Sequence, residues 1–471
     1  MDNAAFSALS LHKDLLKNLE SLGYQKMTPI QAQSLPNILN NKDVIAQAKT
    51  GSGKTAAFAL GLLNKLNVKQ FRVQSLILCP TRELADQVAK EVRRLARATH
   101  NIKVLTLCGG MPFGPQIGSL EHGAHIIVGT PGRVEEHLRK GTLRLGNLTT
   151  LVLDEADRML DMGFQPSLDA IVEQLPRNRQ TLLFSATYPD QIQSISRRIM
   201  TDPVMVAVES IHDKSTIQQH FYKVNSDKER MTALQLLLQK YQPESSVVFC
   251  NTRRETQEVA DELVDFGFSA LALHGDLEQR QRDQTLVRFA NKSTSVLVAT
   301  DVAARGLDIE ALDAVINFQI ARDAEVHIHR IGRTGRAGSK GVACSLYTDK
   351  EAYKVALLED YLDQLIVGEP LPSMQLLEKR TFSPSMETLQ IDGGKKQKVR
   401  PGDILGALTS KTAIGKEGGA DTITGSDVGK INIFDRCAYV AVKSDVSKRA
   451  LKKLGQGKLK GRNFRARLIS S

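Results

Sequence analysis

Along most of the chain, short apolar blocks alternate with longer stretches whose apolar residues recur at helical spacing. The blocks at Asp43–Gln47, Ser75–Cys79, Val104–Cys108, His125–Val128, Leu151–Asp154 and Leu182–Ser185 are rich in Val, Ile and Leu. They are too short for helices and read as buried strands. The segments between them are long enough for crossover helices, which is the pattern of an open, mostly parallel α/β sheet. A second series follows at Ser246–Cys250, Ala270–Leu273, Ser295–Thr300, Ala314–Asn317 and Val342–Tyr347. Two α/β domains of similar size are predicted, over residues 1–207 and 208–368, with a joint at Pro203–Ser215 where the pattern breaks.

Beyond Leu365 the character changes. Gly368–Pro372 and Lys379–Ser385 read as a linker over 369–385. The remainder, 386–471, predicts strand (Thr388–Asp392), helix (Pro401–Thr409), two strands (Lys430–Phe434 and Cys437–Val442), helix (Ser447–Leu454) and strand (Asn463–Leu468). This β-α-β-β-α-β order is a split βαβ unit, the α+β layout of an RNA-recognition-motif-like (RRM-like) domain.

Charge sharpens the division. The chain of 471 residues carries a net +11. Residues 386–471 hold 18 Lys and Arg against 8 Asp and Glu, or +10, so the first 385 residues are nearly neutral at +1. A basic segment beside a neutral body points to a polyanionic partner, nucleic acid first. The five cysteines include no C-x-x-C pair, which argues against zinc, and Cys79, Cys108, Cys250 and Cys344 lie in apolar runs as expected of buried thiols. No run approaches the ~18–20 apolar residues of a membrane span, and Met1–Leu15 lacks a secretory pattern. A cytoplasmic protein that makes no use of a membrane is expected.

The strand Asp43–Gln47 runs into Ala48-Lys-Thr-Gly-Ser-Gly-Lys-Thr55. This is a phosphate loop with Ala48 in place of the usual first glycine. Gly51 and Gly53 let backbone N–H groups close on phosphate oxygens; Thr50 and Ser52 complete the cradle. Lys54 neutralises β/γ-phosphate and Thr55 holds Mg²⁺. The matching carboxylates stand at a second strand end, Asp154-Glu-Ala-Asp157, where Asp154 completes the metal site and Glu155 orients or deprotonates the attacking water. Arg333 and Arg336, in His329-Arg-Ile-Gly-Arg-Thr-Gly-Arg336, are candidates to meet γ-phosphate charge from the second domain. ATP and Mg²⁺ are therefore the expected cofactors.

These residues resemble the DEAD-box RNA helicases of superfamily 2, over about Phe6 to Gly338. The resemblance implies two tandem RecA-like domains, RNA-dependent ATP hydrolysis and local strand separation. Gly23-Tyr-Gln-Lys-Met-Thr-Pro-Ile-Gln31 resembles the adenine-reading motif, which places Gln31 on the adenine edge with Tyr24 and Phe6 near the base; Met27 stands where proline is usual. By the same resemblance Asp308 meets the ribose. RNA contacts fall to Thr81, Arg82, Gly110, Thr130 and Arg133 in the first domain, and to Thr252, Arg253, Gly275, Arg282 and Thr300 in the second. Ser185, Thr187, Asp157 and His329 couple ATP state to unwinding. Gln319 and Ala321 replace the Asp and Pro usual in the family. Small hydroxyls and N–H groups at loop and helix starts suit phosphate and 2′-OH contacts, so the core should read RNA with little sequence preference and DNA is not expected.

Within that family, an appended RRM-like domain of this kind implies a hairpin of large-subunit (23S) rRNA, and pre-50S particles, as targets during ribosome assembly. Arg436-Cys-Ala-Tyr-Val-Ala-Val442 keeps Tyr439 of the base-stacking strand but lacks its other aromatics. Basic groups including Lys395, Lys398, Arg400 and Arg436 favour phosphate and shape readout of a folded hairpin. An ATP-gated RNA clamp, or a general RNA chaperone without a dedicated rRNA target, remains the alternative.

Overall fold

The computed structural model describes residues 5–48, 51–208, 217–304, 312–335, 341–410 and 423–469. The chain separates into two compact units that part after residue 212.

The first unit is built on seven strands: β1 (Val44–Gln47), β2 (Ser75–Leu78), β3 (Val104–Leu107), β4 (Ile126–Gly129), β5 (Thr150–Asp154), β6 (Gln180–Ser185) and β7 (Val204–Ala207). Their order is β3-β4-β2-β5-β6-β1-β7, with every pairing parallel. Helices cover both faces, giving two apolar cores. One is centred on Phe58, Phe184 and Val88; the other on Leu76, Leu153 and Ile195. Burial on both faces explains why the strands are runs of Val, Ile and Leu and do not alternate. The register sets Gln47 beside Ser185 and Asp154 beside Phe184, so the carboxyl ends of β1, β6 and β5 emerge side by side. Ligands of open α/β sheets bind off such ends.

The first residues of the stretch Pro203–Ser215, predicted as the joint, belong to the first sheet. Val204–Ala207 is a strand, β7, and closes the first sheet by pairing with β1. It is a short apolar run, Val-Met-Val-Ala, set between Pro203 and the polar stretch that follows.

The second unit holds two sheets. Six parallel strands, β8 (Ile217–Lys223), β9 (Ser246–Cys250), β10 (Ala270–Leu273), β11 (Val296–Thr300), β12 (Ala314–Asn317) and β13 (Gly341–Tyr347), are ordered β10-β11-β9-β12-β13-β8. Four antiparallel strands, β14 (Met386–Ile391), β15 (Val428–Ile433), β16 (Ala438–Lys443) and β17 (Ala466–Leu468), are ordered β15-β16-β14-β17. Helices Pro401–Thr409 and Ser447–Gln456 cover one face of this small sheet and complete the α+β domain.

The stretch 369–385 is not a slack tether. Glu369 donates its amide to Phe221 O at 2.7 Å, Gln239 Nε2 donates to Lys379 O at 3.1 Å, and Thr381 Oγ1 donates to Gly267 O at 2.8 Å. Phe382 meets Phe268 edge-to-face at 5.8 Å. Its Pro-rich composition signalled a connection, while its scattered apolar residues bind it to the second α/β domain.

Candidate active site

The phosphate loop is shaped by two glycines with left-handed backbone. Gly51 and Gly53 have φ of 85° and 94°, and Gly53 is the N-cap of the helix Lys54–Lys65. A side chain at Gly53 would also strike Gln31, whose Nε2 would lie 2.5 Å from the new Cβ. Lys54 is buried at the start of this helix, and its ammonium donates to Ala48 O at 2.6 Å. That bond curls the loop back on itself. Ala48 in turn donates its amide to Ser185 O at 3.0 Å, so the missing first glycine is accommodated by a buried alanine tied to β6. Ser52 and Thr55 are half-buried on the loop and the first helical turn.

Gln31 is buried within reach of this loop. Thr28 donates its amide to Gln31 Oε1 at 2.9 Å, and Gln31 Nε2 donates to Gly53 O at 3.0 Å. The adenine-reading candidate is thus joined to the phosphate loop directly. Tyr24 lies edge-to-face on buried Phe6 at 6.0 Å and donates to Glu91 Oε1 at 2.9 Å. Burial and that carboxylate push its phenol up to about 12. Met27 is buried in the core below, so the departure from proline is a packing substitution.

At the end of β5, burial pushes the Asp154 carboxyl up to about 7; Lys54 opposes the shift and Glu155 adds to it. Glu155 adopts φ 54° and caps the short helix Ala156–Asp161, with its carboxylate on the buried Arg158 guanidinium at 2.7 Å. Asp157 faces the next strand end. It accepts from the amides of Ala186 and Thr187 at 3.1 and 3.0 Å and from Thr187 Oγ1 at 3.1 Å, while its own amide donates to buried Ser185 Oγ. Burial alone would raise this carboxyl. The Thr187 amide, Arg158, Lys54 and Ser185 outweigh it, and the group is lowered.

The threonines expected to meet RNA share one local geometry. Thr81, Thr130 and Thr252 are the N-caps of helices Arg82–Leu95, Pro131–Arg139 and Arg253–Asp265. Thr81 and Thr252 accept from the third residue of their helices at 3.2 Å. Helix N-termini carry unpaired N–H groups and positive dipole ends, which favour phosphate. Thr300 ends β11 and accepts from Ala303 N at 3.4 Å; Arg282 Nη2 donates to Ala303 O at 2.9 Å, so these two residues share one corner. Gly275 lies against Arg253, which pairs with Asp276 at 2.6 Å. Arg133 donates to Met111 O at 3.0 Å and to Gln116 Oε1 at 2.7 Å, and also pairs with Glu136. Its guanidinium therefore holds the Gly110–Met111 loop in place.

Three comparisons bear on identity. The family model for DEAD/DEAH box helicases matches residues 28–195, that for the helicase conserved C-terminal domain matches 229–338, and that for the DbpA RNA binding domain matches 388–468. The chain is 54% identical to the ATP-dependent RNA helicase DbpA of Escherichia coli (strain K12), covering 99% of each chain. The chain belongs to the DEAD-box ATP-dependent RNA helicases. It is also 46% identical to the DEAD-box ATP-dependent RNA helicase CshA of Geobacillus kaustophilus, over 74% of each. Among solved structures, S. cerevisiae Dbp5 bound to RNA and ADP BeF3 superposes with a TM-score of 0.71 at 31% identity, covering 78% of this chain and 95% of that one.

In this helicase the second α/β domain has a hub at Arg330, a residue with no assigned role in the sequence reading. Its buried guanidinium donates to both Asp301 oxygens at 2.7 and 2.8 Å, to Asn251 Oδ1 at 2.9 Å and to Gln319 O at 2.9 Å. It thereby joins the ends of β9, β11 and β12. A signal was present: His327, Arg330 and Ile331 form the buried stripe of the helix Ala324–Ile331, and an arginine on such a stripe needs acceptors. The same cluster explains Gln319. Its Nε2 donates to Glu255 Oε1 at 2.7 Å and its Oε1 accepts from Asn251 N, so an amide serves where the family usually has a carboxylate. Ala321 is buried beside it. Arg333 is buried and accepts Leu312 N at its carbonyl, and His329 is half-buried. Thr50, Asp308 and Arg336 lie outside the described residues.

Three loops of the helicase's small C-terminal domain carry a group of its cations. Lys395 and Lys396 donate their amides to Phe434 O and Asp435 O at 2.8 and 2.9 Å, Asp392 donates its amide to Arg465 O, and Lys460 Nζ donates to Lys398 O at 2.9 Å. Three loops are thus stitched together, and they present Lys395, Lys398, Arg400, Arg436, Lys458 and Arg462 as exposed groups. Tyr439 is a correction. It lies on the sheet face, not on these loops, and is only 3% exposed, with Phe434 edge-to-face at 5.5 Å. Burial raises its phenol, and Arg280 and Asp283 of the second α/β domain are among its charged neighbours. Its ring is not open to a base in this arrangement.

Proposed function

We propose that this helicase couples ATP hydrolysis to local separation of rRNA duplexes, and that its C-terminal domain targets it to a hairpin of 23S rRNA during 50S assembly. The observation that carries the target is the basic cluster. A +10 domain presents a cluster of exposed cations on three hydrogen-bonded loops, while the aromatic of its sheet is covered. Such a surface suits the phosphates and shape of a folded hairpin better than stacked single-stranded bases. The match of residues 388–468 to the DbpA RNA binding domain supports the same reading. Pre-50S particles are the corresponding larger partner. Residues 1–207 and 208–368 serve as the two helicase domains and 386–471 as the targeting domain.

For the chemistry, Gly51, Gly53 and the first amides of the Lys54–Lys65 helix bind the phosphates, with Lys54 released from Ala48 O to reach them. Thr55 and Asp154 fit Mg²⁺. Both offer hard oxygen donors, and Asp154 is a buried carboxyl whose raised proton affinity a divalent cation would relieve. Bound there, Mg²⁺ would supply charge neutralisation to the nucleotide phosphates. Glu155 turns from Arg158 to orient or deprotonate the attacking water. Arg333 and Arg336 offset developing γ-phosphate charge when the helicase domains close on ATP. The capping threonines then hold one RNA strand by its phosphates, and loss of products reopens the core.

The test is ATP turnover stimulated by a panel of 23S rRNA fragments at stated salt, with the full chain and with a Lys395→Glu, Lys398→Glu, Arg462→Glu variant. One fragment should activate the wild type at far lower concentration than the rest, and the variant should lose that preference while keeping its maximal rate. Equal activation by all fragments overturns the targeting, as does a variant that keeps the preference.

A further inference from the structure

The C-terminal sheet has two dissimilar faces. Leu389, Ile391, Val440 and Val442 face the domain's own core. Thr388, Gln390, Tyr439 and Ala441 point the other way and are nearly as buried, at 0, 3, 3 and 1% exposure. A face this buried must be covered; of its two polar nonaromatic members, Gln390 donates to Asp392 Oδ1 of its own domain at 3.0 Å, while Thr388 finds its partners outside the domain. The cover is the helix Gln279–Ala290 of the second α/β domain. Gln281 and Gln284 of that helix and Gln390 and Arg467 of the sheet line one shared cleft of about 420 Å³.

The contact is sharpest at the carboxyl end of this helix. Thr388 Oγ1 accepts from Asn291 Nδ2 at 3.1 Å and shares a 2.7 Å hydrogen bond with Ser293 Oγ. Asn291 is the helix C-cap, and Ser293 Oγ also donates to Arg288 O in the last turn at 3.0 Å. One buried hydroxyl on β14 therefore holds both residues that terminate the helix. Near the other end of the same helix stands Arg282, bonded to Ala303 O beside Thr300. A helix of 12 residues transmits displacement along its axis as a stiff rod of about 18 Å. The pinned 369–385 stretch keeps the C-terminal domain close to this surface, which lowers the entropy lost on docking.

We infer that Thr388 is a positioning residue for RNA engagement by the core: through Asn291 and Ser293 it fixes the Gln279–Ala290 helix, and so sets Arg282 against the RNA strand. The inference rests on the reading of Arg282 as an RNA contact. It gives the C-terminal domain a second role, as a brace for the helicase core, independent of which RNA its basic cluster selects.

The test uses the full chain and a single-stranded oligoribonucleotide, which does not depend on the hairpin. Steady-state ATP turnover is measured against oligonucleotide concentration for wild type, Thr388→Val, Thr388→Ser, Arg282→Gln and the Arg282→Gln, Thr388→Val double variant, with melting temperatures alongside. Thr388→Val should raise the half-saturating RNA concentration roughly two- to ten-fold at nearly unchanged maximal rate, Thr388→Ser should restore it, and the Thr388→Val effect should disappear in the Arg282→Gln background. The inference is overturned if Thr388→Val matches wild type while Arg282→Gln weakens RNA, or if the two effects simply add. If Arg282→Gln alone leaves half-saturation unchanged, the reading of Arg282 fails, and the inference with it.

Discussion

The Asp157 carboxylate holds Thr187 twice, through its amide at 3.0 Å and through its hydroxyl at 3.1 Å. This joins the end of β5, which carries Asp154 and Glu155, to the loop leaving β6. Removing one hydroxyl in Thr187→Val should cost about 1 kcal/mol of stability. Removing the charge in Asp157→Asn should cost about 2–3 kcal/mol, since charge-assisted bonds are stronger. We expect Thr187→Val to keep most RNA-stimulated ATP turnover but to separate fewer duplexes per ATP. Measuring both rates on one preparation decides the point: an unchanged ratio would show that this bond has no part in coupling.

Glu155 and Arg158 form a buried pair at 2.7 Å, so the expected general base rests on Arg158 until it turns to the water. Glu155→Gln keeps the shape and removes the base. ATP turnover should fall about 10²–10⁴-fold, the usual range for a positioned general base, with ATP affinity retained. ATP-driven duplex separation should stop with it. Quenched-flow hydrolysis beside equilibrium nucleotide binding checks both halves; turnover within a few-fold of wild type would remove Glu155 from the chemistry.

Gly110 has a φ of 70°, and a Cβ there would lie 1.7 Å from Arg82 Nη1. Gly110→Ala therefore strains the backbone by about 1–2 kcal/mol and expels the Arg82 side chain. RNA affinity should fall several-fold while ATP affinity stays, and Arg82→Gln should reproduce the loss. Fluorescence anisotropy with labelled RNA provides the measurement. Full affinity in Gly110→Ala would show that the Arg82 position is not needed.

His327 sits in an apolar cluster against Phe221, and among the described residues neither ring nitrogen has a hydrogen-bond partner. Burial, assisted by Arg330, pushes it down to about 3 from an ordinary 6.5. The unfolded chain thus takes up a proton near 6.5 that the folded chain refuses until about 3. Stability from this group is complete above about 6.5 and is lost as pH falls below it, at up to about 1.4 kcal/mol per pH unit. His327→Phe should flatten the decline of melting temperature between pH 6.5 and 4.5 relative to wild type. Parallel declines in the two proteins would assign the acid sensitivity to other groups.

Much of this was legible along the chain because the signals are local. A strand buried on both faces must be a run of Val, Ile and Leu, and a loop that curls onto phosphate needs Gly51 and Gly53 at left-handed φ. The edge strand β7 is a run of only four apolar residues between Pro203 and a polar stretch, and so reads as part of a connection. Arg330 was legible only as a cation on a buried helical stripe, because its acceptors come from three strand ends far apart in sequence.

Residue order alone therefore determined the two parallel-sheet domains, the small α+β domain, the place of the glycine-rich loop and the acidic residues at strand ends, and the confinement of charge to residues 386–471. Each depends on periodicity or spacing within one segment. What covers the second face of the C-terminal sheet was not written in any one segment. Tyr439 keeps one position of a base-stacking strand in its motif, and its burial comes from Phe434 of its own domain together with the Gln279–Ala290 helix, more than a hundred residues earlier. A strand's alternation tells which residues share a face. Which partner that face meets depends on contacts between distant elements, and those exist only once the chain has folded.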